Sequence, residues 1–210
     1  TRPESYVGDI KNWELAEAGL KEALDKRGMQ YEINEGDGAF YGPKIDFKIK
    51  DAIGRTWQCA TIQLDFNLPE RFEIKYQDKD GALKTPVMLH RVIFGSMERF
   101  HGILIEHYAG AFPAWLAPHQ VALVPIADRH NEYMETIYKK LRENNIRVIF
   151  EEKSESMNYK IRDYLQNKKV PYVLVAGDKE IADNTVAVRK RGVGQVGVMS
   201  VDEFISKLLE

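Results

Sequence analysis

The sequence predicts an antiparallel α+β piece, roughly residues 1–117, followed by an α/β domain with a mixed, mainly parallel sheet, roughly residues 118–210. Three observations carry this. Ile45, Phe47 and Ile49 alternate with Asp46, Lys48 and Lys50, the period-two pattern of a half-buried strand. The texture changes at FPAWLAP, which Pro113 and Pro118 bracket as a linker. Beyond it, apolar runs and helix-period segments alternate, as in folds built on parallel strands.

The elements follow in order. Trp13, Ala16, Leu20, Ala23 and Leu24 recur at steps of three and four, an apolar stripe on one helix that Gly28 ends. Ile45 to Lys50 is a strand, Asp51 to Arg55 a turn, and Thr56 to Phe66 a second strand rich in β-branched and aromatic residues. QDKDG (Gln77 to Gly81) reads as a hairpin turn and Val87 to Leu89 as a short strand. A helix starts at Gly95, with Met97, Phe100, Leu104 and Tyr108 on its inner face. The second domain reads strand (Val121 to Pro125), helix (Asn131 to Asn144), strand (Arg147 to Phe150), helix (Asn158 to Asn167) and strand (Tyr172 to Ala176). Strands at Thr185 to Arg189 and Gln195 to Ser200 and a helix at Asp202 to Leu209 complete it.

Composition narrows the function classes. The formal net charge is -2, so no global positive field marks a nucleic-acid binder, and any RNA contact rests on local groups. Such groups are Lys160, Arg162, Lys168 and Lys169, and then Arg189, Lys190 and Arg191; a charge run is more often a solvated face. Cys59 is the one cysteine, which excludes a disulfide framework and points to a reducing cytoplasm. No apolar run approaches the ~20 residues that span a bilayer. The start Thr1-Arg2-Pro3 reads as a piece of a longer protein.

The chemistry gathers around HRVIFGSMERF (His90 to Phe100). Gly95 lets another group approach the backbone, the following helix N-terminus suits a phosphate, and Arg99 can stack on a base or pair with phosphate oxygens. His90 is one imidazole without a second ligand at metal-binding spacing; Cys59 is the obvious candidate partner and equally reads as a small buried residue. His101, His107, His119 and His130 have no evident partners in the sequence.

GSMER preceded by HR and followed by F-x-G-I-L resembles motif 3 of class II aminoacyl-tRNA synthetases in its threonyl form. GAFYGPKIDF (Gly38 to Phe47), TWQCATIQLDFNLPERF (Thr56 to Phe72), VPYVLVAGDKE (Val170 to Glu180) and VAVRKRG (Val186 to Gly192) are similar to further segments of the threonyl-tRNA synthetases, in order along the whole chain. The resemblance implies a class II catalytic fragment carrying motif 3 without motifs 1 and 2, then an anticodon-binding domain. It implies a threonine–tRNA ligase that forms threonyl-adenylate from ATP and L-threonine and passes it to tRNA(Thr), with Mg2+ on the ATP. By the same resemblance Arg99, Ser96, Lys44 and Gln58 contact ATP, with Arg99, Lys44 and Gln58 as the catalytic set. Tyr41 and Gln63 contact threonine. His90 is one ligand of a Zn2+ whose other ligands lie outside this chain, so His90 alone is expected to hold zinc poorly. Glu180 and Arg189 read anticodon bases, while Lys153-Ser154-Glu155 departs from the family's Arg-Asn-Glu. The whole enzyme is expected to be a cytoplasmic homodimer, with no membrane or DNA partner, and the fragment to be inactive alone.

One geometric condition follows. Gln58 and Gln63 are an odd number of residues apart, so a regular strand turns them to opposite faces. Both serve one pocket only if an irregularity lies between Cys59 and Ile62. The alternatives are a non-catalytic tRNA-binding relative, and a class II enzyme for proline or histidine, against which GPKIDF and LHR speak.

Overall fold

The computed structural model describes residues 1–150 and 155–209. They fall into two compact units, Thr1–Leu104 and the residues from Ile105 onward.

In the first unit, α1 (Ile10–Lys26) starts where Asp9 accepts from Lys11 N at 2.9 Å. Its stripe is less covered than expected. Trp13 is fully buried, donating from Nε1 to Val7 O at 2.8 Å and meeting Tyr6 and Phe66 edge-on. Ala23 is exposed, and Leu20 and Leu24 line a groove of about 900 Å3 between the helix, residues 29–34 and the first strand. A three-stranded antiparallel sheet follows, in the order β1 (Lys44–Lys50), β2 (Thr56–Asp65), then a third strand given below. Asp51 builds the β1–β2 turn. Its carboxylate accepts from Ile53 N (3.1 Å), Arg55 N (2.8 Å), Arg55 Nε (2.5 Å) and Trp57 Nε1 (2.9 Å). Desolvation works against its charge, but these four donors outweigh it and hold the carboxyl well below its usual range.

A short helix, α2 (Asn67–Arg71), absent from the periodicity reading, turns the chain out of β2. The expected QDKDG hairpin joins β3 (Tyr76–Gln77) to β4 (Leu83–Lys84). The short strand is longer and later than predicted. It is β5 (Met88–Val92), because the ladder with β2 runs from Asp65–Met88 to Thr61–Val92. In α3 (Met97–Tyr108), Ile103 is buried, whereas Met97, expected inward, is 53% exposed. Phe94, arriving from the preceding turn, stacks on Phe100 at 4.4 Å and is itself 44% exposed, so the first turn of α3 has no buried layer beneath it.

The second unit holds a five-stranded sheet, order β10-β9-β8-β6-β7, made of β6 (Val121–Pro125), β7 (Val148–Phe150), β8 (Tyr172–Ala176), β9 (Val186–Lys190) and β10 (Gly194–Met199). β6 runs parallel to β7 and β8, and β9 and β10 return antiparallel. Every residue of β6 is buried, since helices cover both faces. Val121 and Leu123 face α4 (Asn131–Glu143) and α7 (Val201–Leu209), packing with Met134, Leu141 and Phe204. Ala122 and Val124 face α5 (Met157–Arg162) and the π-helical turn Asp163–Asn167 that extends it, packing with Ile161 and Tyr164. A short α6 (Asp178–Ala182) follows β8.

The Pro113–Pro118 segment is tied to this unit. Arg147 donates from Nε to Ala117 O at 2.9 Å and from Nη2 to Trp115 O at 2.9 Å. Arg191 donates from Nη2 to Ala111 O (2.8 Å) and Phe112 O (2.6 Å), and from Nη1 to Lys169 O. Two members of the expected basic groups, Lys169 and Arg191, therefore serve backbone carbonyls, Lys169 through Ala109 O. Among the described residues, no helix is long and apolar enough to cross a membrane.

Trp13 is the one fully buried side chain of α1, so Trp13→Ala is expected to destabilise the first unit by about 3–5 kcal/mol. Urea unfolding followed by fluorescence checks this through a lowered midpoint.

Candidate functional site

The site begins with the register of β1 on β2. Lys48 pairs with Gln58, but Phe47 pairs with Ala60, so Cys59 is an extra residue bulged out of the ladder. The irregularity that the two glutamines required exists, at the start of the expected stretch. Beyond it Asp46 pairs with Thr61 and Lys44 with Gln63, and Gln63 also pairs with His90 on β5. Lys44, Asp46, Gln58, Thr61, Gln63 and His90 thus share one face.

Gly95 fits this bulge. It has φ 69°, and a Cβ there would lie 2.7 Å from Cys59 O. The close approach that glycine permits is to the bulged carbonyl, which brings the start of α3 against the site. Arg99 then donates from Nη1 to Gln58 O at 3.2 Å, with its guanidinium 6.0 Å from the Trp57 ring centre. Ser96 accepts from Arg99 N at 3.3 Å and donates to Glu98 at 2.7 Å, so in this structure it caps α3. Gly42 is equally constrained: a Cβ would lie 1.8 Å from Leu64 O, so only glycine lets the chain carry Tyr41 and Lys44 into place.

The cleft over this face has a volume of about 560 Å3 and is lined in part by Lys44, Gln58, Thr61, Gln63 and His90. Lys44 Nζ lies 2.7 Å from Asp46 Oδ2 and 3.7 Å from Asp37 Oδ2. Burial alone lowers the lysine's pKa, but the two carboxylates outweigh it and hold the ammonium above its ordinary value. Tyr41 donates its hydroxyl to Gln63 Oε1 at 3.0 Å. The larger groove beside α1 mixes apolar side chains with scattered charged and polar ones, and meets this polar set only at Lys44, Asp46 and Asp37. The smaller cleft is the candidate site, because the lysine, both glutamines and the histidine converge on it.

His90 Nε2 lies 2.8 Å from Oδ2 of Asp65, whose side chain is 2% exposed. Asp65 Oδ1 accepts from Asn67 N and Leu68 N. Burial works against the Asp65 charge, and His90 with these amides more than compensates, holding the carboxyl below its usual range. With Nε2 held by a carboxylate, Nδ1 is the nitrogen left to ligate, the arrangement that metal-bound histidines use. Among the described residues, no group of three or more His, Cys, Asp or Glu side chains could hold a metal ion, and Cys59 is buried in the bulge. The chain's own donors fit one ligand position and do not make a zinc site.

In the second unit, Glu180 sits in the first turn of α6, where its Oε2 accepts from Gly177 N at 2.9 Å. Arg189 lies on β9, paired with Val173 and Gln195. The Glu180 turn is braced by Asp178, which accepts from Arg129 Nε at 3.0 Å and from the buried His130 Nε2 at 3.0 Å. Those bonds hold the Asp178 carboxyl well below its usual range. Lys153 and Ser154 lie outside the described residues. Asp46, Thr61 and Asp178 were not singled out from the sequence. The alternation of β1 did carry a signal for Asp46, which shares a face with Lys44.

Comparison with known proteins agrees with this geometry. Residues 7–108 match the family model for the tRNA synthetase class II core domain (G, H, P, S and T), and residues 120–210 match that for an anticodon binding domain. The chain is 58% identical over 209 residues to a threonine–tRNA ligase of Carboxydothermus hydrogenoformans, and 57% identical over 210 residues to one of Sulfurihydrogenibium sp.. All of this chain is covered in both, but only 33% and 32% of those relatives, so it spans about a third of their length. The crystal structure of the RNA binding domain of threonyl-tRNA synthetase from Cryptosporidium parvum Iowa II superposes with a TM-score of 0.92 at 39% identity, covering 100% of this chain and 53% of that one. The chain belongs to the threonyl-tRNA synthetases among the class II aminoacyl-tRNA synthetases, with part of the core domain and the anticodon-binding domain.

Proposed function

We propose that this chain works as part of a threonine–tRNA ligase, with residues 1–117 contributing one wall of the adenylation pocket and residues 118–210 binding the anticodon. The observation that carries this reading is the convergence of Tyr41, Lys44, Gln58, Gln63 and His90 on one face, with Arg99 beside them. The reaction joins two substrates. A carboxylate oxygen of L-threonine attacks the α-phosphorus of ATP, and the bond to pyrophosphate breaks. The terminal hydroxyl of tRNA(Thr) then takes the threonyl group and releases AMP. No side-chain nucleophile is needed, so positioning and charge stabilisation dominate.

In this reading the Lys44 ammonium stabilises phosphate charge, aided by Mg2+ on the ATP. Arg99 stacks on the adenine, while Ser96 and Gln58 bind the nucleotide. Tyr41 and Gln63 hold threonine. His90, kept in orientation by Asp65, contributes one ligand to a zinc ion completed from outside this chain. Such an ion would supply a Lewis acid that favours a side chain carrying a hydroxyl, threonine over valine. Glu180 accepts from an exocyclic amine of an anticodon base, and Arg189 contacts a neighbouring base. The whole enzyme acts in the cytoplasm as a homodimer.

The test is threonine-dependent exchange of pyrophosphate into ATP. The full-length gene product is expected to catalyse it, and the 210-residue chain alone is not. Inactivity of the full-length product favours a non-catalytic tRNA-binding relative, and exchange by the chain alone overturns its assignment as one wall of the pocket. In the full-length protein, Glu180→Gln is expected to cost about 1–3 kcal/mol in kcat/KM for tRNA charging, the worth of one base contact, with exchange unchanged. Unchanged charging removes Glu180 from the anticodon site.

A further inference from the structure

We infer that Asp46 is the positioning residue of the adenylation pocket, fixing both the place of Lys44 and the hydrogen-bonding polarity of Gln58. The inference rests on the ligase reading of this cleft and adds to it a residue that touches no substrate. Asp46 lies on β1 between Lys44 and Lys48, with a side chain 12% exposed. Its two oxygens are fully engaged. Oδ2 accepts from Lys44 Nζ at 2.7 Å. Oδ1 accepts from Gln58 Nε2 at 2.7 Å and from Thr61 Oγ1 at 2.8 Å.

The chemistry of the acceptor decides what the cleft presents. A carboxylate only accepts, so the end of the Gln58 amide that faces it has to be the NH2 group. Thr61 Oγ1, 3.0 Å from the same Nε2, spends its own proton on Asp46 and accepts from the amide. Gln58 therefore carries its carbonyl Oε1 away from Asp46, and among the described residues that oxygen has no partner. Gln63 is oriented the other way. The Tyr41 hydroxyl donates to its Oε1, which leaves its NH2 as the outward group. The two glutamines thus offer opposite polarities, Gln58 an acceptor and Gln63 a donor. A ligand with a donor at one point and an acceptor at the other is matched without rotating either amide. Asp46 also offsets the lysine charge and holds it in place, with Asp37 3.7 Å away, and the ammonium's remaining proton is available to an anionic oxygen.

Asp46→Asn tests this in the full-length protein, because it keeps the shape and replaces one acceptor oxygen with a donor. That donor opposes either the Gln58 amide or the Lys44 ammonium. Loss of a charge-assisted bond predicts a fall of about tenfold or more in kcat/KM for threonine-dependent pyrophosphate exchange. The KM for tRNA and the melting temperature are expected to stay as in the wild type. Thr61→Val removes one bond of the network and is expected to lower exchange by a smaller factor, which keeps the inference testable if Asp46→Asn fails to fold. The deciding measurement is a mutant cycle. On a Lys44→Ala, Gln58→Ala background, Asp46→Asn is expected to cost no more than about twofold, since its action passes through those two residues. Asp46→Asn within twofold of wild type, or a full additional loss on the double-alanine background, overturns the inference. Absence of exchange by the wild-type protein overturns instead the ligase reading on which it rests.

Discussion

The candidate site depends on one irregularity in one ladder, the extra residue Cys59 between Gln58 and Ala60. Without it, Gln58 turns to the opposite face from Gln63, and the Asp46 network loses its amide. A bulge is a local backbone feature, yet this one is fixed from outside its strand. Gly95 lies against the Cys59 carbonyl, so the same close contact that accommodates the bulge brings α3 and Arg99 alongside. Strand, turn and helix are therefore coupled. The motif around Gly95 gains its meaning from a strand that lies far from it in sequence.

Much of this was legible in the residues. Period-two alternation gave β1, and the β6 to β8 alternation gave the second sheet, because burial on a regular element leaves a regular trace. The parity of Gln58 and Gln63, joined to the single pocket that the resemblance gave them, announced the bulge, since two residues of one face cannot stand an odd number apart on an unbroken pleat. Short elements were not legible: α2 and α6 have five residues each, too few to show a helical period. Met97 misled because an apolar residue at helical spacing says nothing about whether any layer covers that end of the helix, and both Met97 and Phe94 are exposed there.

Asp46 and Arg191 show a second limit. An aspartate on the polar side of a half-buried strand and an arginine in a basic run both read as solvated charges. The structure turns each toward a specific set of partners, Asp46 toward three donors and Arg191 toward three carbonyls. Burial lowers the Arg191 pKa, the electrostatic sign of a guanidinium drawn away from water. Sequence gives the charge of such a residue but not the groups it will meet, which for Asp46 are side chains gathered by strand register and for Arg191 are carbonyls of segments elsewhere in the chain.

The cap at α6 has a consequence for recognition. The two oxygens of Glu180 are not equivalent: one is tethered to the Gly177 amide, and the side chain has already given up much of its rotamer freedom. The entropy of ordering it belongs to folding rather than to an encounter with a partner. A partner meeting the other oxygen finds a rigid acceptor held at a set height above the turn. In the anticodon role proposed for Glu180, selectivity is then geometric, because a base presenting its amine slightly out of place cannot be followed by the glutamate.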